Sequence, residues 1–342
     1  MKLAIRTAPL IALTLIASAS VAQAQDPVAD FYRGKQIKIA VGFSPGGSSS
    51  LYAQALTRHM GKHLPGNPTF IVQHMPGAGG LIAANHIAAN AARDGTEFAI
   101  TSRTAALEPL LGNANAKFDA SKFNWVGNAN IENSVCIAWH TAPVKSVQDV
   151  FKTELVVGGA SSAAQEVMYP RAFNRLLGTK FKVVTGYPGS TEILLAIERG
   201  EVHGFCGIGW TFVKLRKTDW LKDKKINVLF QMALAKHPDI PDVPAILDFA
   251  KTPEDRQVIE FLFAPQDMGR PFFAPLGVPA ERVAALRAAF ARTLKDADFL
   301  AEAEKQGIEV QLVPGEDIQK LVERIYASPK AVIDRAKAVV EP

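Results

Sequence analysis

The chain has 342 residues, 48% of them hydrophobic, and its 38 Lys and Arg against 33 Asp and Glu leave a formal net charge of +5. A chain of this length is long for one hydrophobic core and comfortable for two domains. The basic side chains form no clustered stripe with interleaved aromatic residues, so we expect no nucleic-acid partner.

The first residues have the pattern of an export signal. Lys2 and Arg6 precede an apolar run, and Ala22-Gln23-Ala24 follows it as an A-x-A cleavage site. We expect residues 1–24 to be removed after Ala24, which leaves a soluble mature protein in the periplasm. The cleaved segment carries two basic residues and no acidic one, so part of the basic character disappears with it. An uncleaved anchor is the alternative.

Strands and helices alternate along the mature chain. The β-branched and apolar run Gln36–Phe43 predicts a strand. A helix is predicted over Ser50–Leu64, because its apolar residues recur every four positions. That stripe consists of Tyr52, Leu56, Met60 and Leu64. The same pattern of a strand followed by a helix recurs, with a predicted strand over Phe70–His74, a helix over Leu81–Ala92 and a further strand over Glu97–Thr101.

The alternation returns after about residue 150, with predicted strands over Glu154–Val157 and Phe181–Thr185. Alternating strands and helices predict a mostly parallel sheet with helices on both faces. Since the pattern occurs in two clusters, we predict two α/β lobes. The C-terminal part is predicted to be mainly helical, with helices opening at Thr252, running from Pro279 to about Gln306, and running from Gly315 to Val340.

The stretch GFSPGG, residues Gly42 to Gly47, contains the G-x-S-x-G pattern of a hydrolase nucleophile elbow. That elbow uses the backbone N–H of the residue after the serine as half of its oxyanion hole. Here Pro45 follows Ser44 and has no N–H. Losing one such donor costs about 10²–10³ in rate. An exported serine hydrolase that uses Ser44 is therefore a disfavoured alternative.

A Gly-rich turn entering a helix exposes free backbone N–H groups at the positive end of the helix dipole, which makes an anion site. Ser48 and Ser49 add hydroxyl donors. A second such loop, PGAGG (Pro76–Gly80), is no dinucleotide fingerprint, because Ile82 stands where the third glycine is required. Open α/β sheets bind ligands at the carboxyl ends of their strands. Two amide-rich loops facing one crevice there predict a carboxylate site.

The histidine, acidic and cysteine residues give no strong signal of a metal site or a catalytic site. His59 and His63 have the spacing of a metal pair, but no Glu stands between them as in H-E-x-x-H, and a solvated helix face is the better interpretation. The acidic residues show no pair suited to acid–base catalysis. Cys136 and Cys206 lack a C-x-x-C pattern. We expect no metal, no cofactor and no catalytic residue.

Several motifs, in this order, resemble a known family. GFSPGGSS, PGAGG, GYPGS followed by ERGEVHG, and MGRPFFAPLGVPAERV are similar to segments of the tripartite tricarboxylate transporter receptors, also called the Bordetella uptake gene family. The resemblance covers nearly the whole mature chain. It implies an α/β, type II periplasmic binding fold: two α/β lobes around a central cleft with two hinge crossings. Residues 25–130 plus 235–342 would form lobe 1, and residues 131–234 lobe 2.

The resemblance also implies the ligand-binding residues. In such receptors the ligand carboxylate is held in the cleft largely by backbone groups and ordered water. The matching residues of lobe 1 are Phe43, Gly46, Gly47, Ser48, Ser49, Gly77, Ala78, Gly79, Gly80 and Ser102. Those of lobe 2 are Gly159, Ala160, Ser161, Ser162, Tyr187, Pro188 and Gly189.

The chain departs from the family at two positions, since many relatives carry Asp where Ser50 stands and Arg where Gln54 stands. The loss of that carboxylate disfavours an amino-acid ligand, whose ammonium group loses a partner. The implied topology also sets the strand of Cys136 antiparallel beside the strand of Cys206. Opposite residues there have Cα atoms about 4.5–5.5 Å apart, which suits a disulfide in an oxidising compartment. Two buried free thiols are the alternative.

The expected function follows from the resemblance and the loops together. We expect a non-enzymatic, monomeric extracytoplasmic receptor that binds a small organic carboxylate between its lobes. It would deliver this ligand to a membrane-embedded secondary transporter with a large and a small subunit. A sensor module that hands the ligand to a signalling partner is the alternative, and its fold and site would be the same.

Overall fold

Two β-sheets, both packed against helices, organise the chain. The computed structural model describes residues 26–162 and 164–341, except for the side chains of residues 215 and 216. The expected signal segment 1–24 and its cleavage site lie outside these residues. Among the described helices, none has the length and apolar character that crossing a membrane requires.

The strands, in chain order, are β1 (Gln36–Val41), β2 (Thr69–His74), β3 (Glu97–Ile100), β4 (Asn124–Asn128), β5 (Ser134–Trp139), β6 (Leu155–Gly158), β7 (Phe181–Val184), β8 (Gly204–Gly209), β9 (Ile226–Met232), β10 (Pro271–Ala274) and β11 (Val313–Pro314). The helices are α1 (Pro27–Tyr32), α2 (Ser48–His59), α3 (Leu81–Ala89), α4 (Gln165–Leu177), α5 (Ser190–Glu198), α6 (Trp210–Arg216), α7 (Thr218–Lys222), α8 (Pro253–Phe263), α9 (Ala280–Thr293), α10 (Ala297–Gln306), α11 (Gly315–Tyr326) and α12 (Lys330–Val340).

The first sheet has the strand order β11-β4-β10-β3-β1-β2. β1 is parallel to β2 and β3, whereas β10 is antiparallel to both β3 and β4. Four of the six strands therefore run in the same direction, as predicted, and five helices make the C-terminal part mainly helical. The prediction missed β10, a short strand with buried Phe272 and Phe273, which enters the first sheet from the C-terminal part of the chain.

The second sheet has the order β7-β6-β8-β5-β9. β6 is parallel to β7 and β8, and β5 inserts between β8 and β9 antiparallel to both. This confirms the predicted insertion of the strand of Cys136 beside the strand of Cys206. The two residues are direct partners, with Cα atoms 3.8 Å apart and sulfur atoms within bonding distance. The Cα separation is shorter than expected, at a point where the strand register shifts.

Helix α2 buries the predicted stripe of Tyr52, Leu56 and Met60. It begins at Ser48, two residues before the predicted start, and ends at His59 before a 3₁₀ turn. The two long C-terminal helices of the prediction are each divided. Asp296 caps α10 after a break, and Pro329 stands at the N-cap of α12. The sequence analysis did not predict either break, because the apolar pattern continues across both of them.

The segment 235–342 contacts both sheets. Helices α9, α10 and α11 pack against β4 or α2 of the first sheet. Helices α8 and α12 pack against α4 of the second sheet, where Tyr169 donates a hydrogen bond to the Leu262 carbonyl and its ring contacts Phe263. The domain boundaries remain a prediction. The prediction assigned all of residues 235–342 to lobe 1 and did not include the contacts of α8 and α12 with the second sheet.

His59 and His63 do not lie on a solvated helix face. His59 Nε2 lies 2.7 Å from Glu302 Oε2, and His63 Nε2 lies 2.9 Å from Asp296 Oδ2, so both join α2 and its following turn to α10. Lys62 contacts the same Asp296 at 2.9 Å. Across the described residues there is no group of three side chains that would hold a metal ion.

This charge cluster predicts an acid-sensitive contribution to stability. The hydrogen bond from Lys62 holds the pKa of the Asp296 carboxyl well below its usual range. Because the folded pKa lies below the unfolded value of about 3.9, the stabilisation is fully present above that value, declines below it, and is lost only as the pH falls through the folded pKa. We expect Asp296→Asn to lower Tm by on the order of 2 °C at neutral pH, and the difference from wild type to shrink progressively below about pH 4.

Calorimetric scans from neutral pH to about pH 2 measure both effects, since the unfolded carboxylate becomes protonated below about pH 4 and the stabilisation declines from there. Asparagine keeps the cap that Asp296 provides for the amides of Asp298 and Phe299, so only the charge changes. Asp298→Asn is the matched control, because Asp298 contacts the same Lys62 from a side chain that is 78% exposed. A Tm difference that stays constant across this range would contradict the electrostatic explanation.

Candidate functional site

Three loops converge at the carboxyl ends of β1, β2 and β3. A Cβ atom placed on Gly42 would lie 2.9 Å from Gly80 Cα, so the loops after β1 and β2 touch through backbone alone. A Cβ atom on Gly80 would lie 3.2 Å from the amide nitrogen of Ser102, which follows β3. The loops that contain the predicted residues 43, 46–49, 77–80 and 102 thus lie together at the carboxyl ends of these strands.

The loop after β2 has an unusual backbone. Gly77, Ala78, Gly79 and Gly80 all have positive φ, with values of 132°, 47°, 66° and 93°. A non-glycine residue in the left-handed region costs roughly 1–2 kcal/mol, so Ala78 carries real strain. Three glycines among four such positions explain why the sequence is PGAGG, and they allow the backbone to approach its neighbours and a ligand closely.

Helices α2 and α3 begin at these loops without a side-chain cap. Their N-cap residues are Gly47 and Gly80, and among the described side chains none accepts a hydrogen bond at either N-cap. Helices α1, α8 and α10 are capped by Asp26, Thr252 and Asp296. The first-turn amides of α2 therefore remain donors at the positive end of a helix dipole, whereas the first amide of α3, that of Leu81, already donates to the Ala78 carbonyl.

His74, at the end of β2, supports the loop after β1. Its Nδ1–H donates to the Phe43 carbonyl at 2.9 Å, and its Nε2 lies 3.4 Å from Ser50 Oγ. Gln54 Nε2 donates to the same Ser50 Oγ at 3.1 Å. Ser50 is fully buried, so this position faces His74 and Gln54 and not the crevice. Ser50 therefore contacts other side chains of the protein, and the structure gives no support for a direct contact between this position and a ligand ammonium group.

The predicted loops of the second sheet also meet each other. The amide of Gly186 donates to the Ala160 carbonyl at 3.1 Å, and the amide of Tyr187 donates to the Gly159 carbonyl at 3.4 Å. Helix α5 begins after Gly189, and the described side chains supply no cap there either. Ser162 and Pro188 are exposed, while Ser161 is half-buried. Residues 159–162 and 187–189 thus form a second amide-rich surface.

Glu166 and Arg103 couple the two loop groups electrostatically. Glu166, on the first turn of α4, accepts a hydrogen bond from the Ala160 amide at 3.3 Å. Burial raises the pKa of the Glu166 carboxyl, and the charge of Arg103, which follows β3, opposes that rise. Nearby, Ser161 Oγ and Gln165 Oε1 are buried and have no hydrogen-bond partner within residues 26–162 and 164–341. The α4 side of the crevice therefore has polar atoms available for a ligand or water.

Sequence reasoning missed a buried charge cluster beside the first residue of α2. Glu132, between β4 and β5, lies 2.6 Å from Arg270 Nη1 and 3.5 Å from Arg103 Nη2. Arg103 also donates to Gln266 Oε1 at 2.8 Å. Arg270 Nη2 donates to Ser48 Oγ at 2.8 Å, which places this cation at the first residue of α2. No spacing signal could have found it, because Ser48 and Arg270 are far apart in the chain.

The two sheets also meet through Glu309, which follows α10. Thr211 Oγ1 on α6 donates to Glu309 Oε2 at 2.6 Å, and Lys214 Nζ lies 3.4 Å from Glu309 Oε1. A groove of about 320 Å³ runs beside this contact, between Lys214 and the segment 300–310. It contains none of the predicted site residues, so we assign it to the rim of the lobe contact.

Solved structures with the same fold include a periplasmic binding protein and two proteins with a bound organic acid. "Structure of periplasmic binding protein BugD" matches with a TM-score of 0.69 at 19% identity, over 90% of this chain and 98% of that chain. MatC from Rhodopseudomonas palustris with bound malate matches with a TM-score of 0.66 at 23% identity, over 90% and 99% of the two chains. An R. palustris protein with adipate has a TM-score of 0.67 at 21% identity, over 88% and 97%. The predicted type II periplasmic binding protein fold is confirmed.

The family is shown by the sequence itself. The profile described as "Tripartite tricarboxylate transporter family receptor" matches residues 53–337, which is most of the chain. The chain belongs to this family, as its motifs predicted. No curated protein matches the chain.

Proposed function

We propose that the protein is an extracytoplasmic solute receptor that binds a small organic carboxylate between its two sheets and does not transform it. The observation that carries the proposal is that the glycine-entered start of α2, which has no side-chain cap, lies in backbone contact with the glycine-rich loop that begins α3. Backbone N–H groups at helix N-termini bind anions because their donors are free and the dipole is favourable. The predicted residues 43, 46–49, 77–80 and 102 would bind the ligand from one side, and residues 159–162 and 187–189 from the other.

Related structures support the ligand class. MatC holds malate and a second R. palustris protein holds adipate, and both share this fold. Both ligands are small organic acids. At such low identity the likeness concerns the fold, so the carboxylate class for this chain rests on the loops described above.

The alternative of a serine hydrolase has no support from the loop. Ser44 is followed by Pro45, which cannot donate to an oxyanion. His74, the histidine that contacts this loop, directs its ring nitrogens to Phe43 and Ser50. A general base must instead lie within hydrogen-bond reach of the nucleophile.

Family membership supports the location and the partners. We propose that the mature protein acts as a monomer in the periplasm and delivers its ligand to the large and small membrane subunits of a secondary transporter. Delivery to a signalling partner is the second candidate, and neighbouring genes for membrane subunits or for a sensor kinase distinguish the two.

Thermal-shift and calorimetric screening against small mono-, di- and tricarboxylates tests the receptor function. We expect at least one acid to stabilise the protein by about 2.7 kcal/mol when present at about 100 times its Kd. The neutral amides of the same acids are the control. The bound acid should be recovered unchanged, as measured by NMR. Hydrolysis of an ester substrate that Ser44→Ala abolishes, together with no stabilisation by any carboxylate, would contradict the proposal.

A further inference from the structure

Glu309 is fixed to the first lobe by its backbone. The residues on either side of it pack against the hydrophobic core of the first sheet. The amide of Gln311 donates to the Ala129 carbonyl at 2.8 Å, directly after β4. The Tyr52 hydroxyl on α2 donates to the Glu309 carbonyl itself. The position of Glu309 therefore follows the first sheet and the helix whose first turn borders the predicted site.

The Glu309 side chain contacts α6, which follows β8 of the second sheet. Thr211 Oγ1 donates to Glu309 Oε2 at 2.6 Å, and Lys214 Nζ lies 3.4 Å from Glu309 Oε1. Thr211 is only 7% exposed, and a hydrogen bond to a charged group is roughly twice as strong as one between neutral groups. Lys214 is more exposed and also lies 2.7 Å from Asp239, so its ion pair with Glu309 contributes less. The pair Glu309–Thr211, named the lobe clasp, therefore supplies most of this contact.

Helix α6 is fixed to the second lobe as firmly as Glu309 is fixed to the first. At its start, the Trp210 amide donates to the Asn133 carbonyl at 2.9 Å. Trp210 and Val213 are buried in the core that β5, β8 and α5 share. Because β8 is parallel to β6, α6 begins at the same edge of the second sheet as the loop 159–162. Separating the lobes at that edge would break the lobe clasp.

The lobe clasp can open without leaving a buried charge. A groove of about 320 Å³ lies beside it, lined by Lys214 and by residues of the segment 300–310, and the Glu309 side chain is 38% exposed. Water can therefore solvate the carboxylate when Thr211 moves away, which avoids the high cost of an unpaired buried charge. Glu132, whose side chain is only 4% exposed between two arginines, has no such access. The lobe clasp is thus a contact that can form and break as the lobes move.

We propose that the lobe clasp holds the two lobes closed before a ligand binds, and that Glu309 is a positioning residue for the site between them. Both ends of the contact are anchored in a hydrophobic core, so it cannot persist when the lobes separate. An interaction made in only one of two arrangements shifts the equilibrium towards that arrangement. Since the apparent Kd rises as the competent fraction falls, loss of the lobe clasp weakens binding without changing any ligand contact.

Small-angle scattering of the ligand-free protein tests the inference independently of the proposed ligand. Glu309→Ala removes the acceptor, and Thr211→Val removes the donor at nearly constant volume. We expect each variant to have a larger radius of gyration than wild type. The double variant should be no larger than the single ones, because all three break the same bond. Glu316→Gln is the matched control, since it weakens an ion pair with Arg287 between two helices that both pack on β4, and it should leave the radius unchanged.

Titration with the acids that bind the wild type gives a second measurement. Affinity should fall about three- to tenfold in Glu309→Ala and in Thr211→Val, by the same factor for every acid and with faster dissociation. A wild-type radius in both variants would overturn the inference. So would losses that differ from one acid to another, since Glu309 would then contact the ligand. If no acid binds, the receptor proposal fails, and the scattering comparison alone still decides whether the lobe clasp exists.

Discussion

Replacing Gly80 with alanine is expected to lower carboxylate affinity by at least about tenfold while the protein still folds. Gly80 has a φ of 93°, and a Cβ atom there would lie 3.1 Å from Thr101 Cβ and 3.2 Å from the Ser102 nitrogen. The added methyl group must push the loop after β2 away from the loop after β3. A displacement of even a few tenths of an ångström misdirects several amide donors at once, and each hydrogen bond to a charged group contributes about 1.5–3 kcal/mol.

Gly42→Ala should have the same effect from the other side, because its Cβ atom would lie 2.9 Å from Gly80 Cα. Gly200→Ala is the matched control. Gly200 also has a positive φ, at 74°, and in the described structure no heavy atom lies within 4 Å of its Cβ position. It should share the backbone cost of roughly 1–2 kcal/mol and leave affinity unchanged. Titration with the best ligand decides the matter, and wild-type affinity in both loop variants would show that the converging loops are not the site.

The glycine positions show how far sequence reasoning reaches. GFSPGG and PGAGG were recognised as loops between strands and helices, and the structure brings them together at the carboxyl ends of β1 and β2. Composition could not tell which glycine is sterically required. Gly47 has an ordinary φ of −74°, and its Cβ position is 3.9 Å from the nearest atom, whereas Gly42 and Gly80 touch. That distinction depends on how two loops pack, which no local pattern contains.

The charge cluster and strand β10 were missed for the same reason. Arg270 lies beside Ser48 only because β10 pairs with β3 in the first sheet. The sequence analysis did not predict β10, which lies in a part of the chain predicted to be mainly helical. The four residues of β10 are too few to show a period. By contrast, the apolar stripe of Tyr52, Leu56, Met60 and Leu64 repeats every four residues, and all four residues are buried.

Breaking the link between Cys136 and Cys206 is expected to lower the free energy of unfolding by roughly 4 kcal/mol. The two residues are direct partners on β5 and β8, fully buried, and 70 residues apart in sequence. Closing a loop of that length restricts the unfolded chain, and the chain-entropy model assigns this restriction a value of that size. Both strands belong to the second sheet, so the link crosses no part of the lobe contact, and ligand affinity should stay within about twofold of wild type.

Comparing oxidised with reduced wild-type protein isolates the bond, because the side chains are otherwise identical. Denaturant unfolding with and without reductant measures the difference, and mass analysis of unreduced, alkylated protein shows whether the bond forms on export. The double variant Cys136→Ala/Cys206→Ala is the control, since it loses buried volume but should not respond to reductant. Two alkyl additions to the unreduced, denatured protein would mean free thiols, and the backbone hydrogen bonds and buried apolar contacts would then hold β5 against β8 without a covalent link.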